Sequence, residues 1–235
     1  MIHQFIFAGP KPGLSALAFH SYWINFHAVE YASKIIQIKR YLVATRHPLE
    51  VSGELPFFEG VAEIWLANET EQLASLQSSE FLLGARIDEP RWAAFWRTLV
   101  VDTEPETFID TLQEGQPLPE YVKLYVLLKR KSGADLDAFK HILRENHSDM
   151  AAIQPALKRS MIGFARQGLY TLGEPLFDAV ETWSFEDTLE DRKALVRLQE
   201  DRFRQPAEEW LDIRHAYFFI GCEHWIIRPG EREAD

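Results

Sequence analysis

The 235-residue sequence has a single cysteine, Cys222, and no run of 18 apolar residues. One thiol cannot form an intrachain disulfide or a cysteine-rich zinc site, and the short apolar runs predict no membrane-spanning helix. The N-terminal segment has no basic region ahead of its apolar residues, so it does not resemble a secretory signal peptide. These absences predict a cytoplasmic protein that folds without disulfides and without a structural metal.

Motifs for nucleotide binding and serine hydrolysis are also missing. No G-x-G-x-x-G, Walker A or G-x-S-x-G sequence occurs, which argues against nucleotide cofactors and a hydrolase elbow. Basic residues are in deficit, with 25 against 36 acidic residues and a net charge of −11. Such a surface repels phosphate backbones and anionic lipids. We therefore expect neither nucleic acid nor a membrane as a partner.

An internal repeat organises the residues that are present. Several pairs of identical residues stand 120 positions apart, among them Gly13 and Gly133, Ala18 and Ala138, Phe19 and Phe139, and His27 and His147. Further along the spacing falls to 118, which aligns Glu63 with Glu181 and Trp65 with Trp183. Because the matches keep their order along the chain, they indicate a duplication rather than chance.

The hydrophobic pattern of each half predicts strand, helix, strand, strand, helix and strand, which is the ferredoxin-like order. The helices cover one face of each sheet, and two such sheets in one chain can bury each other's open faces. The predicted fold is therefore α+β, with two tandem ferredoxin-like (βαββαβ) repeats in a pseudo-dimeric α+β barrel. Ser15 is expected to cap the first helix.

The predicted division of the chain follows from composition. Residues 102–120 contain six acidic and no basic residues, which is typical of a solvated linker, with a short helix expected over 106–112. We expect repeat 1 over 1–103, an acidic linker over 104–119, repeat 2 over 120–228 and a tail over 229–235.

One ordered set of motifs resembles a known family. The segment 19–27 reads F-x-x-Y-W-x-x-x-H, and it is followed by Lys39-Arg40-Tyr41, by the segment 57–65 and by Asp88-Glu89. This set resembles the EthD-like branch of the dimeric α+β barrel superfamily, over most of repeat 1 and more weakly over repeat 2. The resemblance implies kinship with dehydratases and decarboxylases of aromatic polyketides, and the wider superfamily includes cofactor-free monooxygenases and haem enzymes.

The second repeat departs from the pattern. Ile142 and Leu143 replace the Tyr-Trp pair, and Ser160 or Met161 stands in the place of Tyr41. His147 is kept, so it marks a possible second site. The alternative is that repeat 2 only completes the barrel.

His27 is the candidate catalytic residue, since it lies on the inward stripe of its helix and is the last residue of the F-x-x-Y-W-x-x-x-H motif. An imidazole can take or return a proton near neutral pH. The expected substrate-binding residues combine an aromatic pocket with carboxylates: Tyr22, Trp23, Tyr41, Glu63, Trp65 and Asp88. Each candidate also has a structural alternative. His27 can be a core histidine bonded to a backbone carbonyl, and the aromatic rings can be plain core packing. Glu63 can form an ion pair on the helix side, and Asp88 can cap a helix that contains Pro90.

Three functions remain open at this level. The first is a cofactor-independent lyase or isomerase, of the dehydration or decarboxylation type, that acts on an aromatic or polyketide-like small molecule with His27 as acid/base and without a metal. The second is a non-catalytic protein that binds an apolar ligand or assists a degradation pathway. The third is a haem-dependent oxidoreductase, because one histidine suffices as axial ligand. Self-association as a homodimer is compatible with each.

Overall fold

The computed structural model describes residues 1–49, 57–111, 121–201 and 207–232. Its strands are β1 (Ile2–Ala8), β2 (Ile38–Arg46), β3 (Gly60–Leu66), β4 (Leu99–Asp110), β5 (Tyr121–Leu128), β6 (Arg159–Ala165), β7 (Ala179–Glu186) and β8 (Tyr217–Ile227). Its helices are α1 (Ala16–Tyr22), α2 (Ala28–Glu30), α3 (Glu69–Gln77), α4 (Arg86–Trp92), α5 (Leu136–Ala152) and α6 (Leu189–Asp201). Two π-helical turns, Trp23–His27 and Glu80–Ala85, lead into α2 and α4.

The strands follow one another as β1-β3-β2-β8-β5-β7-β6-β4 in a closed barrel. This order contains two runs of four, β4-β1-β3-β2 and β8-β5-β7-β6, and each run is ferredoxin-like. The predicted fold of two tandem ferredoxin-like repeats in an α+β barrel is confirmed.

The first compact unit draws on residues 1–46, 56–102 and 221–235. In it β3 pairs antiparallel with both β1 and β2, and β2 also pairs with the end of β8. Alternate strand residues, such as Tyr41 and Ala62, pack against Phe19, Trp23 and Trp92 of the helices. We call this side the helix-facing side of the first sheet.

The second compact unit draws on residues 47–55 and 103–220. In it β7 pairs antiparallel with β5 and β6, and β6 also pairs with β4. The helix-facing side of this sheet includes Leu124 and Trp183, which pack with Phe139 and Leu143 of α5.

The two repeats begin their first helix in the same way. The backbone N–H of Ala18 donates to Ser15 Oγ at 3.2 Å, and that of Ala138 donates to Asp135 Oδ1 at 2.9 Å. The turn before each helix needs a left-handed residue, and Gly13 supplies it in the first repeat with φ +89. The predicted cap at Ser15 is confirmed.

The predicted acidic linker differs from the structure over its described part. Residues 104–110 belong to β4, and the helix expected over 106–112 is wrong there, because Glu104 to Asp110 pair with β6. Glu106 is neutralised by Arg144, whose Nε lies 2.7 Å from Glu106 Oε2. Ladder hydrogen bonds and this ion pair therefore outweigh the acidic composition. The rest of the expected linker, 112–119, lies outside the described residues.

The repeat alignment also needs a correction of one residue. Gln4 pairs with Ile64 on β3, whereas its equivalent Leu124 pairs with Trp183 on β7. Ile64 and Trp183 are therefore equivalent, and their spacing is 119 rather than 118. A shift of one residue moves a strand side chain to the other face of the sheet. Glu63 is consequently not the counterpart of Glu181.

Candidate functional site

A cavity of about 340 Å³ lies in the first unit, between the helices and the helix-facing side of the sheet. Its wall is mostly apolar, with Ile6 of β1 and Ile64 of β3 among the strand residues. Titratable and aromatic groups also line it: Trp23, His27, Tyr41, Arg86, Glu89 and Trp92. The volume falls in the range of small-molecule sites, roughly 300–1,000 Å³.

The imidazole of His27 is held by the carboxylate of Asp88, which lies in α4. Its Nδ1 lies 2.9 Å from Asp88 Oδ2, and the Tyr22 hydroxyl donates to Asp88 Oδ1 at 2.8 Å. Asp88 is only 1% exposed. Since a carboxylate only accepts, Nδ1 of His27 carries the proton and Nε2 of the neutral ring is left as the acceptor. This is the arrangement of an oriented general base.

Burial sets the protonation of this group. It lowers the pKa of His27 below the ordinary 6.5, and the nearby Asp88 opposes that shift. Burial, followed by the hydrogen bond to Asp88, raises the pKa of Tyr22 to about 12. At neutral pH the imidazole is therefore neutral, and the phenol remains a proton donor to Asp88.

Glu89 is a site residue that sequence reasoning did not single out. Burial raises its pKa to about 7, against the opposing effect of Arg86, whose Nη1 lies 3.0 Å from Glu89 Oε2. The side chain lines the same cavity as His27. The only signal in the sequence was the adjacent Asp-Glu pair, in which Asp88 turns to the histidine and Glu89 to the cavity.

Aromatic rings build the remaining wall. Trp23 Nε1 donates to the Tyr41 hydroxyl at 3.3 Å, and the rings of Trp23 and Trp92 lie 4.9 Å apart between centroids. Burial also raises the pKa of Tyr41. Gly60 makes room for Trp23, because a Cβ at that position would lie 2.7 Å from Trp23 Cζ3. Trp23 and Tyr41 are therefore placed at the cavity, as expected.

Asp88 and Tyr22 take positions that differ from the expected ones. Asp88 does not begin a helix, because α4 runs on from the π-helical turn Glu80–Ala85. Its carboxylate is used by His27 and Tyr22 instead. Tyr22 is not among the residues that line the cavity, and it acts through Asp88.

Glu63 and Trp65 lie on the opposite side of the sheet from His27. There His3 Nε2 is 3.0 Å from Glu63 Oε2, and the His3 ring stacks on Trp65 with centroids 4.1 Å apart. Strand alternation separates these two residues from the helix-facing side. The structure therefore does not bring them into the cavity with His27.

His147 of the second repeat has its own carboxylate. Its Nδ1 lies 3.0 Å from Glu181 Oε1, and both side chains are fully buried. The Trp183 ring stacks on the imidazole with centroids 3.9 Å apart. Ser160 stands opposite Trp183 in the strand register, in the place that Tyr41 has opposite Ile64. His147 is thus enclosed by its own repeat's side chains.

A more polar pocket of about 370 Å³ lies in the second unit beside Lys129, Arg130 and Lys131. Lys129 and Arg130 are already paired, because both contact Glu174 and Asp178. Their charges are therefore not free to bind an anionic ligand.

The described residues contain neither a grouped metal site nor a helix that could cross a membrane. Within 1–49, 57–111, 121–201 and 207–232, no three His, Cys, Asp or Glu side chains are grouped as a metal site. In the same part of the chain, no helix combines the length and apolar character that a membrane crossing requires.

The barrel of two ferredoxin-like repeats has the architecture of a dimeric α+β barrel within one chain. Residues 11–95 match the model of the EthD domain family. This stretch of the chain is therefore similar to an EthD domain, and it contains His27, Asp88 and Glu89. No curated protein sequence matches the chain.

Solved structures share the fold at low sequence identity. A protein provisionally named a monooxygenase, from Fusobacterium nucleatum subsp. nucleatum, is 9% identical with a TM-score of 0.60, covering 96% of this chain and 91% of that one. A double mutant of chlorite dismutase from Candidatus Nitrospira defluvii is 12% identical with a TM-score of 0.55, covering 96% and 92%. An anthrone oxidase-like protein is 12% identical with a TM-score of 0.53, covering 99% and 94%.

Proposed function

We propose that the first repeat is a cofactor-independent lyase or isomerase that moves a proton on an aromatic or polyketide-like small molecule. One observation carries this proposal: the buried His27, oriented by Asp88, lines an apolar cavity of about 340 Å³. An apolar wall suits a flat, weakly polar substrate, and the oriented imidazole supplies the base.

The steps of a dehydration balance within this site. His27 Nε2 takes a proton from a carbon next to a carbonyl or hydroxyl group, and the Asp88 carboxylate stabilises the imidazolium that forms. The electron pair of the C–H bond becomes a C=C bond, the C–O bond breaks, and protonated Glu89 gives its proton to the leaving oxygen, which departs as water. Positioned proton transfer of this kind contributes about 10²–10⁴-fold in rate.

The test compares turnover with stability. Aromatic β-hydroxy ketones are offered to the parent and to His27→Asn, which keeps polarity but does not titrate near neutrality. We expect turnover to fall while the melting temperature stays close to the parent value. His141→Asn is the control, because the His141 side chain is 71% exposed and does not line the cavity. Equal turnover in parent and His27→Asn contradicts the proposal.

A haem-dependent oxidoreductase is the second candidate, because a histidine that donates its other ring nitrogen to a carboxylate is also the arrangement of a metal ligand. The surrounding residues do not fit haem, however. Among the described residues that line the cavity, Arg86 is the one basic side chain besides His27, and it already pairs with Glu89. The two propionates would meet the Glu89 carboxyl group instead of free cations. A visible spectrum of the protein mixed with haemin tests this: we expect no shifted Soret band.

A further inference from the structure

The two repeats place different side chains at one position beside their histidines. Ile64 in repeat 1 and Trp183 in repeat 2 occupy the same register of equivalent strands. Ile64 lines the cavity next to His27, whereas Trp183 is completely buried against His147. The indole of repeat 2 therefore occupies the region that is open in repeat 1.

The ring neighbours of the two histidines are otherwise alike. The ring centroids of Trp92 and His27 lie 4.7 Å apart, and their planes are inclined by 49°. The ring centroids of Phe108 and His147 lie 4.5 Å apart, with an inclination of 47°. His147 has in addition the stacked Trp183 at 3.9 Å and 29°. Within the described part of the chain, the other ring beside His27 is Tyr31, at 6.1 Å and 52°, so no side chain stacks on His27.

We infer that Trp183 marks the position of the ligand: the natural ligand of repeat 1 is a flat ring system of about indole size that stacks on His27 from the side of Ile64, and repeat 2 holds an equivalent site filled by its own tryptophan. This inference rests on the proposed function, because it places the substrate at the same histidine. It adds the ring's size and pose and explains why repeat 2 is closed.

Buried polar atoms support a site in repeat 2. His147 Nε2, Trp183 Nε1 and Ser160 Oγ are buried and have no hydrogen-bond partner among the described residues. Such groups are rare in ordinary cores, where buried polar atoms are paired. The His147–Glu181 pair thus keeps the arrangement of a binding site although an indole side chain covers it.

The first experiment fills the site of repeat 1. Indole binding to the parent and to Ile64→Trp is measured by isothermal titration calorimetry. We expect one indole per parent chain and a loss of more than ~100-fold in affinity in Ile64→Trp. Ile64→Leu is the matched control, since it changes shape but not volume, and should bind within a few-fold of the parent. The cavity can take the larger side chain, so circular dichroism should show Ile64→Trp folded.

The second experiment empties the site of repeat 2. Trp183→Ile reproduces the residue of repeat 1, and we expect it to bind two indoles per chain instead of one. A folded Trp183→Ile that binds only one indole overturns the assignment of a second site. If this variant does not fold, Ile64→Trp decides alone, because unchanged affinity there overturns the pose.

The outcomes separate this inference from the proposed function. If the parent does not bind indole but His27→Asn still loses turnover, the inferred ring size and pose are wrong and the catalytic proposal stands. If indole binds as described but turnover is the same in His27→Asn and parent, the ligand site stands and proton transfer by His27 is wrong.

Discussion

His27 and His147 occupy equivalent positions in the two repeats, and each holds a carboxylate through Nδ1 at 2.9–3.0 Å. The carboxylates are not equivalent, because Asp88 comes from α4 and Glu181 from β7. The same pairing thus occurs both beside the open cavity and in the repeat whose histidine is enclosed. The pairing alone therefore does not identify the active site.

The difference lies in what surrounds the ring. Residues 23–27 form a π-helical turn in repeat 1, whereas the equivalent residues of repeat 2 continue as regular α-helix in α5. π-Helical turns are often found at functional sites. Together with Ile64 in place of tryptophan, this turn leaves His27 beside a cavity, while His147 is enclosed.

Replacement of His27 should lower the turnover rate far more than replacement of His147. His27→Asn should lower the rate with the proposed substrate by about 10²–10⁴-fold, because asparagine cannot accept the proton. His147→Asn should leave the rate within a few-fold of the parent, because it lies in the closed site. Steady-state kinetics of the two variants side by side test this. A similar rate loss in both would show that repeat 2 is active or that folding, not chemistry, is affected.

For the free energy of unfolding we expect the opposite order of the two variants. His147→Asn should cost about 2–3 kcal/mol of unfolding free energy, because it removes a hydrogen bond to the fully buried Glu181 and the ring on which Trp183 stacks. His27→Asn should cost about 1 kcal/mol, since Asp88 keeps its hydrogen bond from Tyr22. Urea denaturation measures both. Equal destabilisation would contradict the tighter packing described around His147.

Glu89 should make stability depend on pH. Its pKa of about 7 in the folded protein exceeds the unfolded value of about 4.3. Between these values the unfolded chain releases the proton first, so the free energy of unfolding falls as pH rises, by up to about 4 kcal/mol. The lowered pKa of His27 acts in the opposite sense, since its contribution is lost as pH falls below 6.5.

Melting temperatures from pH 4.5 to 7.5 test the role of Glu89. Glu89→Gln should remove the decline toward pH 7, and Glu145→Gln, on an exposed side chain, should keep it. The same variant should turn over more slowly below pH 7 and show no further fall above pH 7, because the group that donates the proton is gone. A parent and a Glu89→Gln protein with parallel profiles would show that Glu89 is ionised throughout.

A small loss of stability is expected when the space that Gly60 leaves for the Trp23 ring is filled. Gly60→Ala places a methyl group 2.7 Å from Trp23 Cζ3 and 3.1 Å from the Ala44 carbonyl oxygen, which should cost about 1–2 kcal/mol. Gly168→Ala, where the added carbon meets nothing within 4 Å, should change stability by less than about 0.5 kcal/mol. Repeat 2 already has Ala179 at the position of Gly60, opposite Leu143 instead of tryptophan. Thermal unfolding of both variants tests this.

The sequence predicted the repeat and the order of its elements. It also predicted that His27, Trp23 and Tyr41 lie together, because helical spacing and local pattern place them on one side of the sheet. It placed Glu63 and Trp65 in the same site because the E-x-W matches in the two halves suggested a spacing of 118. Thirteen residues separate His147 from Ser160, whereas fourteen separate His27 from Tyr41, so the true spacing from there on is 119, and one residue changes the face of a strand. Glu89 was missed because its raised pKa arises from burial, which the sequence does not show.

The central claim is that the ligand site belongs to His27 and not to His147. Nitrogen-15 spectra of the imidazole rings, recorded while indole is added to the parent protein, test it most directly. His27→Asn and His147→Asn assign the two sets of signals. We predict that the ring signals of His27 move with indole and saturate at one equivalent, while those of His147 stay in place. Movement of the His147 signals, with those of His27 unchanged, would contradict the account.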